Sequence, residues 1–143
     1  MIKSFEYFIG ESLVRKEIPN KSLAKDLVEK AEIRLSRVLK SEIEEREASI
    51  VFEDVYEIIR EAAQAIMELK GYKPYSHEAL IAFLKEGKYL PEREITVLNN
   101  YRVLRNKSVY RAEKISVEKC KEALDFAKAT LPLIKNKVEE LLK

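Results

Sequence analysis

The residues best suited to chemistry lie in one stretch, Asn99-Asn100-Tyr101-Arg102-Val103-Leu104-Arg105-Asn106-Lys107-Ser108-Val109-Tyr110-Arg111. Three arginines, one lysine, three asparagines and two tyrosines fall within these thirteen positions. Guanidinium groups pair with phosphate, amides hydrogen-bond to bases or phosphates, and phenol rings stack on bases. Arg102, Arg105, Asn106, Lys107 and Arg111 are therefore candidate contacts for RNA or a nucleotide. On a helix Arg105 shares a face with Ile95 and Leu98, so it leans towards a groove. A partly buried guanidinium needs an anionic partner. A glutamate on a neighbouring helix and a phosphate group both meet that need.

Other reactive side chains are few. His77 is the single histidine and follows Ser76, a good helix N-cap. The helix dipole there disfavours imidazolium, which suggests a neutral ring bonded within the Pro74 to Glu78 turn. A lone histidine can still act where a dimer brings two copies together. Cys120 sits on an apolar stripe and reads as a buried, inert thiol. Glu44-Glu45 and Glu139-Glu140 are adjacent in sequence, so each pair points two ways on a helix. One cysteine and one histidine argue against a zinc site and against an internal disulfide. Three glycines supply no phosphate loop, Rossmann pattern or nucleophile elbow, so no cofactor and no metal are expected.

These residues must be carried by helices, because the 3.6-residue period appears almost everywhere and no run of strand alternation stands out. A short N-terminal helix is expected over Lys3 to Lys16, with Phe5, Ile9 and Leu13 at four-residue spacing. After Pro19-Asn20, a helix capped by Ser22 should run to about Glu44 on the stripe Leu23, Leu27, Ala31, Leu35 and Val38. The charged stretch Lys40 to Glu47 reads as its end or as a solvated turn.

The segment Ser49 to Lys70 is the most apolar. Phe52, Val55, Tyr56, Ile59, Ala62, Ala63 and Ile66 form one face; Ile50, Ile58, Ala65 and Leu69 form a second. A helix with two apolar faces is either central in a bundle or part of a dimer interface. A single subunit of this size is expected to be too small to cover both faces, which predicts a symmetric dimer. Gly71 suits the C-terminal position of this helix. Further helices are expected over Ser76 to Glu86, over Pro91 to Lys107, and from Ser116 onward. The last carries Cys120, Leu124, Ala127, Leu131, Ile134, Val138 and Leu141, with a kink expected at Pro132.

The fold class is thus all-α: an up-and-down bundle of four to five main helices with a short extra helix at the N-terminus, in a single domain over 1–143. Apolar residues make 46% and charged residues 36% of the chain, which excludes a disordered tail. No apolar run reaches the ~20 residues that a membrane span needs. The segment Met1-Ile2-Lys3-Ser4-Phe5-Glu6 lacks the pattern of a signal peptide, so the chain reads as cytoplasmic. The single glutamine, Gln64, among many Lys, Glu and Ile suits a thermophile. A net charge of +2 gives no overall pull towards nucleic acid, so any basic patch must come from local clustering.

Two segments, within a similarity covering Ala31 to Leu141, resemble the HEPN superfamily of small all-helical domains. One is the apolar helix that ends at Lys70-Gly71, followed by Tyr72-Lys73-Pro74-Tyr75 and the pair Ser76-His77. The other is Arg105-Asn106-Lys107-Ser108-Val109-Tyr110. It is similar to the family signature of arginine, a polar residue, three variable residues and histidine. Arg105 and Asn106 match; Tyr110 stands where the histidine should be.

The resemblance implies a homodimer with the two signatures facing across a cleft. It also implies metal-independent RNA cleavage in active members, and for many a minimal nucleotidyltransferase antitoxin as partner. Arg105 and Tyr110 would then be the catalytic candidates. Tyrosine, with a pKa near 10, is ionised only about one part in a thousand at pH 7, so cleavage here should be weak. Two functional classes follow. One is an RNA- or nucleotide-binding HEPN dimer, a weak ribonuclease or the toxin of a toxin–antitoxin pair. The alternative is a non-catalytic helical protein-interaction module or scaffold.

Overall fold

The computed structural model describes residues 2–143; Met1 lies outside them. The architecture is an all-α bundle. Its helices are α1 (Phe5–Gly10), α2 (Lys21–Leu39), α3 (Ala48–Leu69), α4 (His77–Glu86), α5 (Glu92–Arg111) and α6 (Val117–Leu142). Among the described residues, no helix is long and apolar enough to cross a membrane.

The N-terminal segment departs from the expected helix over Lys3 to Lys16. α1 stops at Gly10, and Ser12 takes a left-handed conformation with φ 60°. The chain then extends as strand β1 (Val14–Lys16), which pairs antiparallel with β2 (Tyr72–Pro74). Val14 faces Pro74, and Lys16 faces Tyr72. The two strands are only three residues each, too short for alternation to mark them. Pairing buries Val14 and overrides the local helical spacing.

This ribbon fixes the start of α4. Tyr75 N–H donates to the Leu13 carbonyl at 2.8 Å, and Glu17 N–H donates to the Gly71 carbonyl at 2.7 Å. Gly71 has φ 80°, and a Cβ there would lie 2.6 Å from the Glu17 carbonyl oxygen. Only glycine fits both demands. Ser76 caps α4 as expected, its hydroxyl accepting from Ala79 N–H at 3.4 Å.

Asn20, not Ser22, caps α2: its side-chain oxygen accepts from Leu23 N–H at 2.9 Å. The buried stripe of α2 is Ala24, Val28, Ala31 and Leu35, so Leu23 lies outside it. α2 ends at Leu39 rather than near Glu44, and the charged stretch beyond is a turn with a short 3-10 segment at Glu45–Glu47.

α3 is the central helix. It packs against α2 and α6 most heavily, and against α4 and α5. Phe52, Ile58, Ile59 and Ile66 are each 1% exposed or less. Each contributes about 1.5–3 kcal/mol on burial. Ile58 and Ala65, from the second apolar face, are as buried as the first; only Ile50 stays well exposed. One chain therefore covers both faces, and α3 does not call for a second subunit. α6 runs through Pro132 without ending, and Cys120, Ala127, Leu131, Ile134 and Val138 of its stripe are buried, with Leu124 half-buried. Burial, with the charge of Asp54, pushes the Cys120 thiol up to about 11, so it stays protonated at neutral pH.

α5 is longer than expected and continues to Arg111. Four contacts hold it. Tyr101 packs edge-on against Phe52 of α3 and Phe126 of α6, each with ring centroids 5.4 Å apart. Tyr101 Oη donates to Glu122 Oε2 at 2.6 Å, and Ser108 Oγ donates to Glu53 Oε2 at 2.7 Å.

Candidate functional site

One polar cluster forms where α3, α4 and α5 meet. From α3 come Tyr56, Glu57 and Arg60; from α4, His77 and Glu78; from α5, Asn99, Arg102 and Arg105. The four-residue spacing of Tyr56 and Arg60, and the three-residue spacings of Glu57 and Arg60 and of Arg102 and Arg105, keep each set on one helix face.

Tyr56 and His77 link the first two helices. Tyr56 Oη and His77 Nδ1 share a hydrogen bond of 3.1 Å, with ring centroids 5.8 Å apart. This corrects the expectation that the ring bonds within the Pro74 to Glu78 turn. The partner lies 21 residues upstream on α3. The other ring nitrogen, Nε2, has no hydrogen-bond partner among the described residues and is not sealed from solvent.

The three arginines are held differently. Arg60 is committed. Its Nε donates to both Glu57 carboxylate oxygens at 3.0 Å, its Nη2 donates to Glu57 Oε1, and its Nη1 donates to Gln64 Oε1 at 2.9 Å. Arg102 is half committed, with Nε donating to Asn99 Oδ1 at 2.9 Å and Nη1 reaching Glu78 Oε1 at 3.4 Å. Arg105 is half-buried, and its Nη1 donates to Asn106 Oδ1 at 3.2 Å. Among the described residues, no carboxylate lies within 4.0 Å of it. Glu57, the glutamate that feels its charge, is held by Arg60, and most of the Arg105 N–H donors stay open.

The charges act on the ring. Burial, then Arg60 and Arg105, lower the His77 pKa to about 4; Glu57 opposes them and Arg102 adds to them. The imidazole is neutral at pH 7. Burial pushes the Tyr56 phenol up to about 12 despite the same three arginines, so it keeps its proton and can donate or accept towards the ring. Glu57 is pushed up by burial, but its hydrogen bonds to Arg60 and the charges around it win, and its carboxyl lies below the usual range.

The residues singled out in the sequence thus divide. Arg102, Arg105 and Asn106 join the cluster. Lys107 and Arg111 are exposed, and Tyr110 is 75% exposed at the last turn of α5. On a continuous helix, Tyr110 lies about 140° around the axis from Arg105. Tyr56, Glu57 and Arg60 escaped sequence reading. Tyr56 sits on a core stripe, and Glu57 and Arg60 resemble an ordinary surface pair. The available signal was an arginine inside the most apolar helix, which must find partners there. Among the described residues, no three His, Cys, Asp or Glu side chains gather as ligands for a metal ion. In comparison with known proteins, the chain matches no family model, no curated protein and no solved structure.

Proposed function

We propose that this chain is a HEPN-type RNA- or nucleotide-binding protein, acting as a homodimer, whose anion site is centred on Arg105. One observation carries the reading: a half-buried guanidinium with open donors and no carboxylate within 4.0 Å, beside a second arginine and a neutral histidine. Such a group is completed by a phosphate oxygen. Support for binding over efficient cleavage comes from Tyr110, which stands where the signature has histidine, because a phenol is a poor proton acceptor at neutral pH. Val103, Val109 and Tyr110 are exposed apolar groups on the same helix. They favour a protein contact there, with a second copy as the proposed occupant; a scaffold without an anion ligand is the alternative.

The test is fluorescence anisotropy with a labelled single-stranded RNA in EDTA, run beside Arg105→Ala, with a gel reading any cleavage. Binding that disappears in Arg105→Ala supports the reading. Equal binding by both proteins, or none by either, rejects it.

A further inference from the structure

The cluster holds one histidine that the signature does not include, and its surroundings suggest what it does. The groups facing His77 are Tyr56, Glu57 and Arg60 from α3, its neighbour Glu78 on α4, and Arg102 and Arg105 from α5. Three guanidinium groups stand against two carboxylates, so the empty cluster carries one net positive charge. A phosphodiester, with a single charge, balances it. A phosphomonoester at neutral pH carries close to two charges, its second pKa being about 6, and leaves the site one charge too negative.

We propose that the Arg105 site takes dianionic phosphomonoesters, either a free nucleotide or a phosphorylated RNA end, and that His77 takes up one proton from solvent to balance their second charge. This inference rests on the reading of Arg105 as an anion site. The proton balance is simple. Neutral imidazole gains one H⁺ from the medium, and no covalent bond of the ligand changes. In the imidazolium, Nδ1–H donates to Tyr56 Oη, which accepts, and Nε2–H, the nitrogen without a partner, donates to a phosphate oxygen. Tyr56 suits both states because a hydroxyl donates or accepts. In the free protein the low proton affinity of His77 is set by burial and by the arginines. A dianion between Arg102 and Arg105 cancels the arginine part and reverses the local sign. Arg60 stays with Glu57 and serves as fixed background charge.

His77 is the only histidine, so its Hε1 proton gives one unambiguous NMR signal. Its titration midpoint is measured in the full chain alone, with uridine 5′-monophosphate, with a short 5′-phosphorylated RNA, and with the same RNA bearing a 5′-hydroxyl. Each is repeated in Arg105→Gln, whose fold is checked by circular dichroism. For proton uptake at neutral pH the midpoint should rise by about three pH units or more with a monophosphate ligand, roughly a thousandfold gain in proton affinity. It should move little with the 5′-hydroxyl RNA. In Arg105→Gln the free midpoint should rise and the ligand effect should vanish. A response to uridine 5′-monophosphate but not to the phosphorylated RNA assigns the site to free nucleotide; the reverse assigns it to RNA ends. Binding of a monophosphate that depends on Arg105 with no movement of the midpoint overturns the proton uptake and leaves the anion site standing. A 5′-hydroxyl RNA that shifts the midpoint equally overturns the link between the second phosphate charge and the proton uptake. No binding by any ligand overturns both the inference and the anion-site reading beneath it.

Discussion

Tyr56 Oη and His77 Nδ1 lie 3.1 Å apart, joining the middle of the central helix to the first residue of α4. The contact buries a tyrosine hydroxyl with its hydrogen bond made, and it orients the single imidazole beside three arginines. Its first consequence concerns pH. His77 has its pKa lowered to about 4 in the fold, below its ordinary value of 6.5. Between these values the unfolded chain takes up the proton and the native chain does not. The resulting stability is present in full above pH 6.5 and is lost as the pH falls towards 4. Urea unfolding at about pH 7.5, above that window, and at about pH 5, within it, should show a smaller acid loss in His77→Gln than in the natural protein. An equal loss in both would rule out His77 as its source.

Gly71 makes a second test. Its φ of 80°, with the Glu17 carbonyl oxygen only 2.6 Å from where a Cβ would stand, leaves no room for alanine. Gly71→Ala should cost about 1–3 kcal/mol. Because the strain lies beside the β1–β2 ribbon, limited proteolysis should reach the N-terminal segment sooner in this variant. Unchanged denaturation and cleavage would contradict the assigned turn.

The cap of α2 separates two polar candidates two residues apart. Asn20→Ala should destabilise the fold by about 1 kcal/mol, since Leu23 N–H loses its acceptor. Ser22→Ala should change stability by less than about 0.5 kcal/mol, as expected of a surface position. The opposite ranking in thermal or urea unfolding would return the cap to Ser22.

Arg105 and Tyr110 should differ as ligands. Arg105→Ala should weaken RNA binding by about 1.5–3 kcal/mol, the range for hydrogen bonds to charged groups. Tyr110→Phe should leave affinity within about twofold, because the hydroxyl has no partner among the described residues and the ring is exposed. Anisotropy titrations at one fixed salt concentration compare them. A larger loss in Tyr110→Phe would move the site to the end of α5.

The proposed dimer would use the exposed side of α5, since α3 is covered within one chain. Val103→Glu places a charge among Val103, Val109 and Tyr110. Sedimentation velocity at micromolar concentration should find a dimer for the natural protein and a monomer for this variant. A natural monomer would remove the homodimer from the proposed function.

Several elements are legible from sequence because local chemistry decides them. α3 is set by a long apolar period, α4 and α6 by the serines that cap them, and the end of α3 by a glycine with positive φ. Each signal acts within a few residues of its effect, so no distant partner is needed to see it. The same holds for Arg105: its place on a helix face follows from spacing alone. Tertiary structure decided the rest. Val14 to Lys16 leaves the helical pattern because Tyr72 to Pro74 offers it a strand to pair with. Tyr56 changes from one more core aromatic into the partner of His77, and Glu78 claims Arg102 across 24 residues. Whether Arg105 keeps its charge open depends on where every nearby carboxylate lands. Pairing of that kind is a property of three helices brought side by side, and helical periodicity, which reports only inward and outward, does not encode it.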